Sequence, residues 1–300
     1  MGTVVIAGGT GLLGTALVEA FSLDGHRVVV LTRHPTREHE VRWSPGQNDS
    51  SWARMLSGAT AVINLAGTSI AGGRWTAARK AAIRESRTQA TSALVRAIAD
   101  AAQPPATFIS SSAVGYYGVR GDEPATETTP PGSDFLAEIC RDWEAIASQA
   151  ANRSRVVLLR SGVVFAREGG ALPQLSLPFK LFAGGPAGSG RQVVSWIHVH
   201  DWVAMVKWAF ATTTIAGPLN VTAPAPVTNE ELSRTIGRVL GRPSWLKAPS
   251  FALRLVLGEM ADALVLGGQR VIPEVARRHG FVFRYPTVES ALKEIYDRPN

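Results

Sequence analysis

Short, nearly continuous apolar runs alternate through the first half of the chain with longer stretches whose apolar residues recur every three or four positions. Residues 4–7, 28–31, 61–65, 107–110 and 156–159 form the short runs. Their lack of polar alternation is what strands covered on both faces require. Residues 12–23, 77–102 and 135–150 carry the helical patterns between them. Strand and helix in strict alternation predict an α/β fold built on a doubly wound parallel sheet.

After about Gly162 the pattern changes to loops rich in Gly and Pro, such as Gly184-Gly185-Pro186 and Gly188-Ser189-Gly190. This shift predicts a smaller, mainly C-terminal α/β domain over 166–300. The larger domain spans 1–165 and is completed by part of 190–222. Within the smaller unit, Thr228 and Glu231 have the spacing of a capping box, in which each side chain serves the other's backbone amide. Leu232, Ile236, Val239 and Leu240 then line one face, and Gly241 with Pro243 ends the helix. The apolar stretch 251–266 is interrupted by Arg254, Glu259 and Asp262, so it reads as a partly buried helix and not a membrane span. Residues 182–191, glycine-rich and ending in Arg191, could form a lid over an anionic ligand.

The first strand runs directly into Gly8-Gly9-Thr10-Gly11-Leu12-Leu13-Gly14 at the mouth of the first helix. Gly8 permits the tight turn, Gly11 lets the backbone approach a pyrophosphate, and Gly14 lets helix and strand pack closely. The amides of this turn, those of Thr10, Leu12 and Leu13 included, then face the phosphates with the helix dipole behind them. The expected architecture is therefore a Rossmann domain with a smaller substrate domain.

The second strand ends in Thr32-Arg33, with Arg37 close behind, where an NAD-binding fold would place a carboxylate on the ribose 2′-hydroxyl. A guanidinium there holds a 2′-phosphate instead, which selects NADP(H) over NAD(H). Leu65-Ala66-Gly67 ends the next strand in a small-residue turn suited to passing beside the nucleotide. Ser110-Ser111-Ser112 ends the one after it, followed by Tyr116 and Tyr117 between glycines. Hydroxyls at the carboxyl end of a parallel strand point toward the ligand crevice.

The net charge of +7 is spread along the chain rather than gathered in a patch. That distribution argues against nucleic acid as partner and suits a small-molecule substrate, an anionic one included. Cys140 is the only cysteine, so no intramolecular disulfide and no multi-cysteine metal site can form. His198 and His200 share a strand face but lack an obvious third ligand in sequence, so no metal is expected; Asp201 reads as the cap of the next helix. With no cleavable leader and no membrane segment apparent, a cytoplasmic location is expected, and a homodimer is an assembly to consider.

The glycine turn, "VINLAG", "SSSAVGYYG" and "WIHVHD" follow one another as in the extended short-chain dehydrogenase/reductases, and the chain resembles that superfamily. More narrowly, "RWTAARKAAIRESR" (74–87), "FLAEICRDWE" (135–144) and "GEMADALVLGGQRVIPEVARRHGFVFRYPTVESAL" (258–292) resemble its atypical epimerase/dehydratase-like branch, which carries a C-terminal domain of unknown function.

The resemblance implies an NADP(H)-dependent oxidoreductase or epimerase acting on a carbonyl, an alcohol or a nucleotide sugar, with Ser112 polarising the substrate oxygen. It also exposes a gap. The family's Y-x-x-x-K pair transfers the proton, its lysine lowering a phenol pKa of about 10. Here the residues four places after Tyr116, Tyr117, Tyr285 and Tyr296 are Arg120, Gly121, Glu289 and Asn300. Leu136 and Cys140 stand at the two positions when the helix is anchored on Glu144. Tyr116, with Arg120 to help it, or Tyr117 is then the expected proton donor. The other reading is an NADP(H)-binding protein without efficient turnover, serving regulation or protein interaction.

Overall fold

The computed structural model describes residues 1–46 and 51–297. Its main sheet has seven strands: β1 (Thr3–Ala7), β2 (Arg27–Thr32), β3 (Glu40–Arg42), β4 (Ala61–Asn64), β5 (Thr107–Ala113), β6 (Arg155–Ser161) and β7 (Gly217–Val221). They lie in the order β7-β6-β5-β4-β1-β2-β3, and every neighbouring pair is parallel. The chain leaves β1 toward β2 and β3, then returns to β4 on the other side of β1. A crevice at the carboxyl ends of β1 and β4 follows from that reversal.

The helices are α1 (Leu12–Leu23), α2 (Ala77–Asp100), α3 (Phe135–Ser148), α4 (Leu172–Lys180), α5 (Val199–Ala211), α6 (Asn229–Leu240), α7 (Ser250–Leu257), α8 (Glu274–Arg278) and α9 (Val288–Asp297). Successive strand residues point to opposite faces, so each apolar strand feeds two cores. Val5, Ala7, Val62 and Phe108 pack under Leu94 and Ile98 of α2 and Ala147 of α3. Val4, Ile6, Ile63 and Ile109 pack under Leu17 and Phe21 of α1 and Trp202, Met205 and Val206 of α5. Each fully buried side chain of this size contributes about 1.5–3 kcal/mol by leaving water.

A third core joins Phe165 and Trp196, stacked at 5.5 Å, to Leu232 and Ile236 of α6 and Leu292 and Ile295 of α9. α6 begins with the full capping box of Thr228 and Glu231.

Three local expectations change. The stretch 251–266 is not one helix: α7 stops at Gly258, whose φ of 63° suits glycine, and a π-helical turn follows over Ala261–Leu266. No residue of α7 is buried. It is fastened across the molecule by Arg74, whose guanidinium donates to the carbonyls of Leu255 and Val256, and by the ion pair of Lys80 with Glu259.

Asp201 does not cap α5. His198 does, its side chain accepting from the His200 amide, while the buried Asp201 carboxylate accepts from the amides of Arg284 and Tyr285 and pins the C-terminal segment. Burial pushes the Asp201 carboxyl up, against the pull of those two amides. The 182–191 loop is stitched in place rather than free: Gly188 N–H reaches Ala248 O at 2.9 Å and Glu230 N–H reaches Gly190 O at 2.9 Å. Among the described residues, no helix is long and apolar enough to cross a membrane.

Candidate functional site

The glycine turn closes on itself and on β4. Gly11 N–H donates to Gly8 O at 3.2 Å, and Gly8 takes a φ of +79°. A Cβ on Gly8 would stand 2.9 Å from the Leu65 carbonyl carbon, and one on Gly14 would stand 2.6 Å from Gly9 Cα. Only glycine fits either position. No side chain caps α1 at Gly11 and no acidic residue stands in its first turn, so its first amides face outward at full positive dipole. Thr10 and Leu12 are exposed beside them, while Leu13 turns its side chain toward the α1 core and offers its amide. These are the fit criteria for a dinucleotide pyrophosphate, and the turn meets them.

At the end of β2, Thr32 Oγ1 accepts from the His34 amide at 3.5 Å. Arg33 and Arg37 are exposed, and neither has an ion-pair partner among the described residues. The Arg37 loop is shaped by Glu40, whose carboxylate takes the Thr36 and Arg37 amides at 2.6 and 3.1 Å and is thereby held below the usual carboxylate range.

Across the reversal point, Asn64 ties the end of β4 to α2 and to β5. Its Nδ2 donates to Thr91 Oγ1 at 2.9 Å and to Ser110 Oγ at 3.4 Å, and its Oδ1 accepts from the Ala66 amide at 3.2 Å. Leu65 and Ala66 are half-buried and Gly67 is exposed at the crevice edge. Ser110 itself is fully buried in this interior set, so its hydroxyl is not available to a cofactor. Period-two geometry is the cause: Ser110 and Ser112 share the face under α2 and α3, and Ser111 takes the opposite one.

Ser112 belongs to a buried network. Its Oγ donates to Glu144 Oε1 at 2.6 Å; Arg160 of β6 meets the same carboxylate through Nε and Nη2, both at 2.8 Å. Arg160 Nη1 also donates to Tyr117 OH at 3.0 Å, and Tyr117 OH donates to Asn220 Oδ1 at 2.6 Å. Burial pulls the guanidinium down, but Glu144 and Tyr117 outweigh it and hold Arg160 above its ordinary value. Burial pushes the Tyr117 phenol up to about 12, with Arg160 opposing.

These contacts correct two expectations. Tyr117 is fully enclosed with both sides of its hydroxyl engaged, so it cannot hand a proton to a ligand in the crevice. The single O–H of Ser112 is already engaged as donor to a carboxylate that can only accept, so its oxygen can accept from a substrate hydroxyl but does not polarise a carbonyl.

Tyr116 is placed differently. It is half-buried, its ring lies under the Arg160 guanidinium at 3.5 Å from the centroid, and no hydrogen bond to its hydroxyl is formed among the described residues. Its neighbour Gly115 packs on α3, where an added Cβ would stand 3.2 Å from Leu136 Cβ and 4.0 Å from Cys140 Sγ. Arg120, the expected helper, is instead ion-paired with Glu123 at 3.0 Å. Cys140 is a buried, inert thiol, pushed up to about 12 by burial and then by Glu144. An open cleft of about 420 Å³ flanks this loop, between Val119, Arg120, Gly132 and Asp134.

His198 and His200 acquire in Glu294 the third group that the sequence did not offer, all three ligand atoms lying within 4.8 Å of one another. Yet His198 Nδ1 accepts from the His200 amide at 3.0 Å, which leaves the proton on Nε2, 2.8 Å from Glu294 Oε2. In that tautomer the cluster fastens α9 to the start of α5 as a hydrogen bond.

With this geometry the sequence comparisons agree. Residues 4–221 match the model of the NAD dependent epimerase/dehydratase family, and residues 248–295 match a domain of unknown function, DUF1731. The chain belongs to the NAD-dependent epimerase/dehydratase family. It is 42% identical to the chloroplastic epimerase family protein SDR39U1 homolog of Arabidopsis thaliana, over 98% of this chain and 86% of that protein. The crystal structure of human epimerase family protein SDR39U1 (isoform 2) with NADPH superposes with a TM-score of 0.92 at 34% identity, covering 99% of this chain and 100% of that one. A nucleoside-diphosphate sugar epimerase from Corynebacterium glutamicum superposes with a TM-score of 0.80 at 34% identity, over 98% of this chain and 58% of that one.

Sequence reasoning missed Asn64, Glu144, Arg160 and Asn220. The available signal was polarity out of place: an Asn closing "AVIN", an Arg inside "RVVLLRS" and an Asn inside "GPLNV".

Proposed function

We propose that this chain binds NADP(H) and acts as an oxidoreductase or epimerase on a small carbonyl or alcohol compound, nucleotide sugars included. The observation that carries the reading is the glycine cradle of Gly8, Gly11 and Gly14 beside the end of β2, where Arg33 and Arg37 are exposed and neither guanidinium forms an ion pair among the described residues. The NADPH of the human relative supports the same cofactor.

Bound there, the nicotinamide supplies or accepts the hydride. Thr10, Leu12 and Leu13 present amides to the phosphates; Thr32, Arg33 and Arg37 hold the adenosine end; Leu65, Ala66 and Gly67 border its path. Tyr116 holds the proton exchanged with the substrate oxygen. Ser112, oriented by Glu144, accepts from a substrate hydroxyl, and Tyr117 with Arg160 fixes the plane of Tyr116.

A cytoplasmic location and a homodimer complete this reading; light scattering checks the second. The locked hydroxyls of Ser112 and Tyr117 favour one alternative, an NADP(H)-binding module that regulates or recruits without efficient turnover. Single-turnover oxidation of bound NADPH against carbonyl compounds and nucleotide sugars decides between them. Loss of NADPH absorbance with one substrate class supports the enzyme; tight NADPH binding with no oxidation by any of them supports the module.

A further inference from the structure

Among the described residues Phe182 alone combines a side chain with a positive φ, at 60°. It stands just past the end of α4, where its amide donates to Phe179 O and that of Ala183 to Pro178 O, both at 2.9 Å. That pair of bonds is a Schellman turn, and its left-handed position favours glycine. Here it carries a phenylalanine that is 57% exposed. Backbone strain that holds an aromatic ring out of the core points to a use for the ring outside the fold.

The Arg242 guanidinium lies over the Phe182 ring, 4.4 Å from its centroid. Gly184 O accepts from the amides of Trp245 and Leu246, both at 3.0 Å, and Ala248 N–H reaches Pro186 O at 2.9 Å, so residues 182–188 and 242–250 run side by side. Leu181, Phe182, Trp245 and Leu246 are exposed along these paired segments, and Phe251 follows on the first turn of α7. Large apolar side chains gathered in this way mark an interaction surface.

Charge selects the partner. Between Glu168 and Asp201, and again between Glu231 and Glu259, the chain contains no Asp or Glu. The same two segments contribute Lys180, Arg191, Arg242 and Lys247, all exposed and none in an ion pair among the described residues. Their other arginines, Arg234, Arg238 and Arg254, are neutralised by Glu230, Glu289 and Asp262. A second copy of this chain would set the free cations against themselves across a two-fold axis, with no carboxylate to meet them. Trp and Phe beside Lys and Arg suit a membrane interface, where rings enter the headgroup level and cationic heads meet anionic lipid. We propose that this edge docks peripherally on an anionic bilayer surface, with Phe182 and Trp245 among the headgroups and Lys180, Arg242 and Lys247 on their phosphates. The docking does not depend on the NADP(H) reading above.

Flotation of the full-length protein with vesicles of phosphatidylcholine, alone or with about one-third phosphatidylglycerol, tests it beside thermal melts. The wild type should float with the anionic vesicles, lose that binding at high salt, and stay behind with the neutral ones. Phe182→Gly gives the left-handed turn the residue it favours. It should melt at or above the wild-type temperature yet bind anionic vesicles about tenfold less tightly. The double variant Lys180→Gln, Lys247→Gln, altered only at exposed positions, should also bind about tenfold less tightly, with its melt unchanged. If Phe182→Gly fails to fold, the lysine pair alone decides. A wild type that does not float with anionic vesicles overturns the proposal. So does a Phe182→Gly variant that melts lower and floats as before, because the ring then serves the fold. Light scattering that shows a dimer lost in Phe182→Gly would give the edge to a second copy, and capture by poly-glutamate without vesicle binding would give it to an acidic protein; either result overturns the proposal.

Discussion

Ser112 and Glu144 meet at 2.6 Å, joining the carboxyl end of β5 to the middle of α3 inside the protein. Arg160 closes the same carboxylate through two further bonds at 2.8 Å, and both members of the ion pair are nearly inaccessible. A pair of this kind is costly to break from one side, because the surviving charge stays buried. Glu144→Ala should therefore destabilise the protein by about 3–5 kcal/mol. Ser112→Ala removes only a neutral donor and should cost about 1 kcal/mol. Urea unfolding of both variants checks the ordering. Equal losses would mean that Arg160 finds another partner.

Two adjacent tyrosines should separate cleanly. Tyr117→Phe removes the hydroxyl that bridges Arg160 and Asn220, leaving buried polar groups short of a partner, and should lower stability by about 1–3 kcal/mol. Tyr116→Phe removes a hydroxyl with no hydrogen bond among the described residues, so stability should change by less than about 0.5 kcal/mol. If Tyr116 holds the transferred proton, its loss should slow NADPH oxidation about 10²- to 10⁴-fold with cofactor affinity unchanged. Thermal melts and single-turnover rates read the two effects apart.

The contrast between these residues also shows what sequence can and cannot carry. Strands β1, β2, β4, β5 and β6 were legible because a parallel strand covered on both faces is written as a continuous apolar run, and the glycine turn because Gly8 and Gly14 admit no Cβ. The partners of Ser112 were not. Hydroxyl, carboxylate and guanidinium come from residues 112, 144 and 160, brought together by the lateral order of β5 and β6 and by the register of α3, neither of which a local pattern encodes. Ser110 looked available to a cofactor because the strand end was visible but the burial of its face was not. His198 and Glu294 lie 96 residues apart for the same reason.

Cofactor choice rests on Arg33, exposed at the end of β2 with no ion-pair partner among the described residues. Arg33→Gln should weaken NADPH about tenfold to a hundredfold, the worth of charge-assisted bonds to a phosphate. NADH, which has no 2′-phosphate, should bind as before. Calorimetry with both nucleotides measures the ratio. An unchanged ratio would move the selectivity to Arg37.

Glu127 gives the protein a pH dependence whose sign can be worked out. Its Oε1 accepts from the amides of Asn220 and Val275 at 3.1 and 3.2 Å, while Oε2 is buried with no hydrogen bond among the described residues. Desolvation raises its carboxyl above the usual value, and the amides of Asn220 and Val275 only partly offset it. The native state thus holds this proton more tightly than the unfolded chain does. The stability it contributes is complete below the unfolded pKa, about 4.3, and is lost as pH rises through the elevated native value. Glu127→Gln keeps an acceptor oxygen for the two amides and cannot ionise. Its stability relative to the wild type should therefore rise from pH 4 toward neutrality and then level off. Urea midpoints between pH 4 and 8 trace that difference, and a gap that does not vary with pH would mean that water reaches Oε2 and the carboxylate titrates as if exposed.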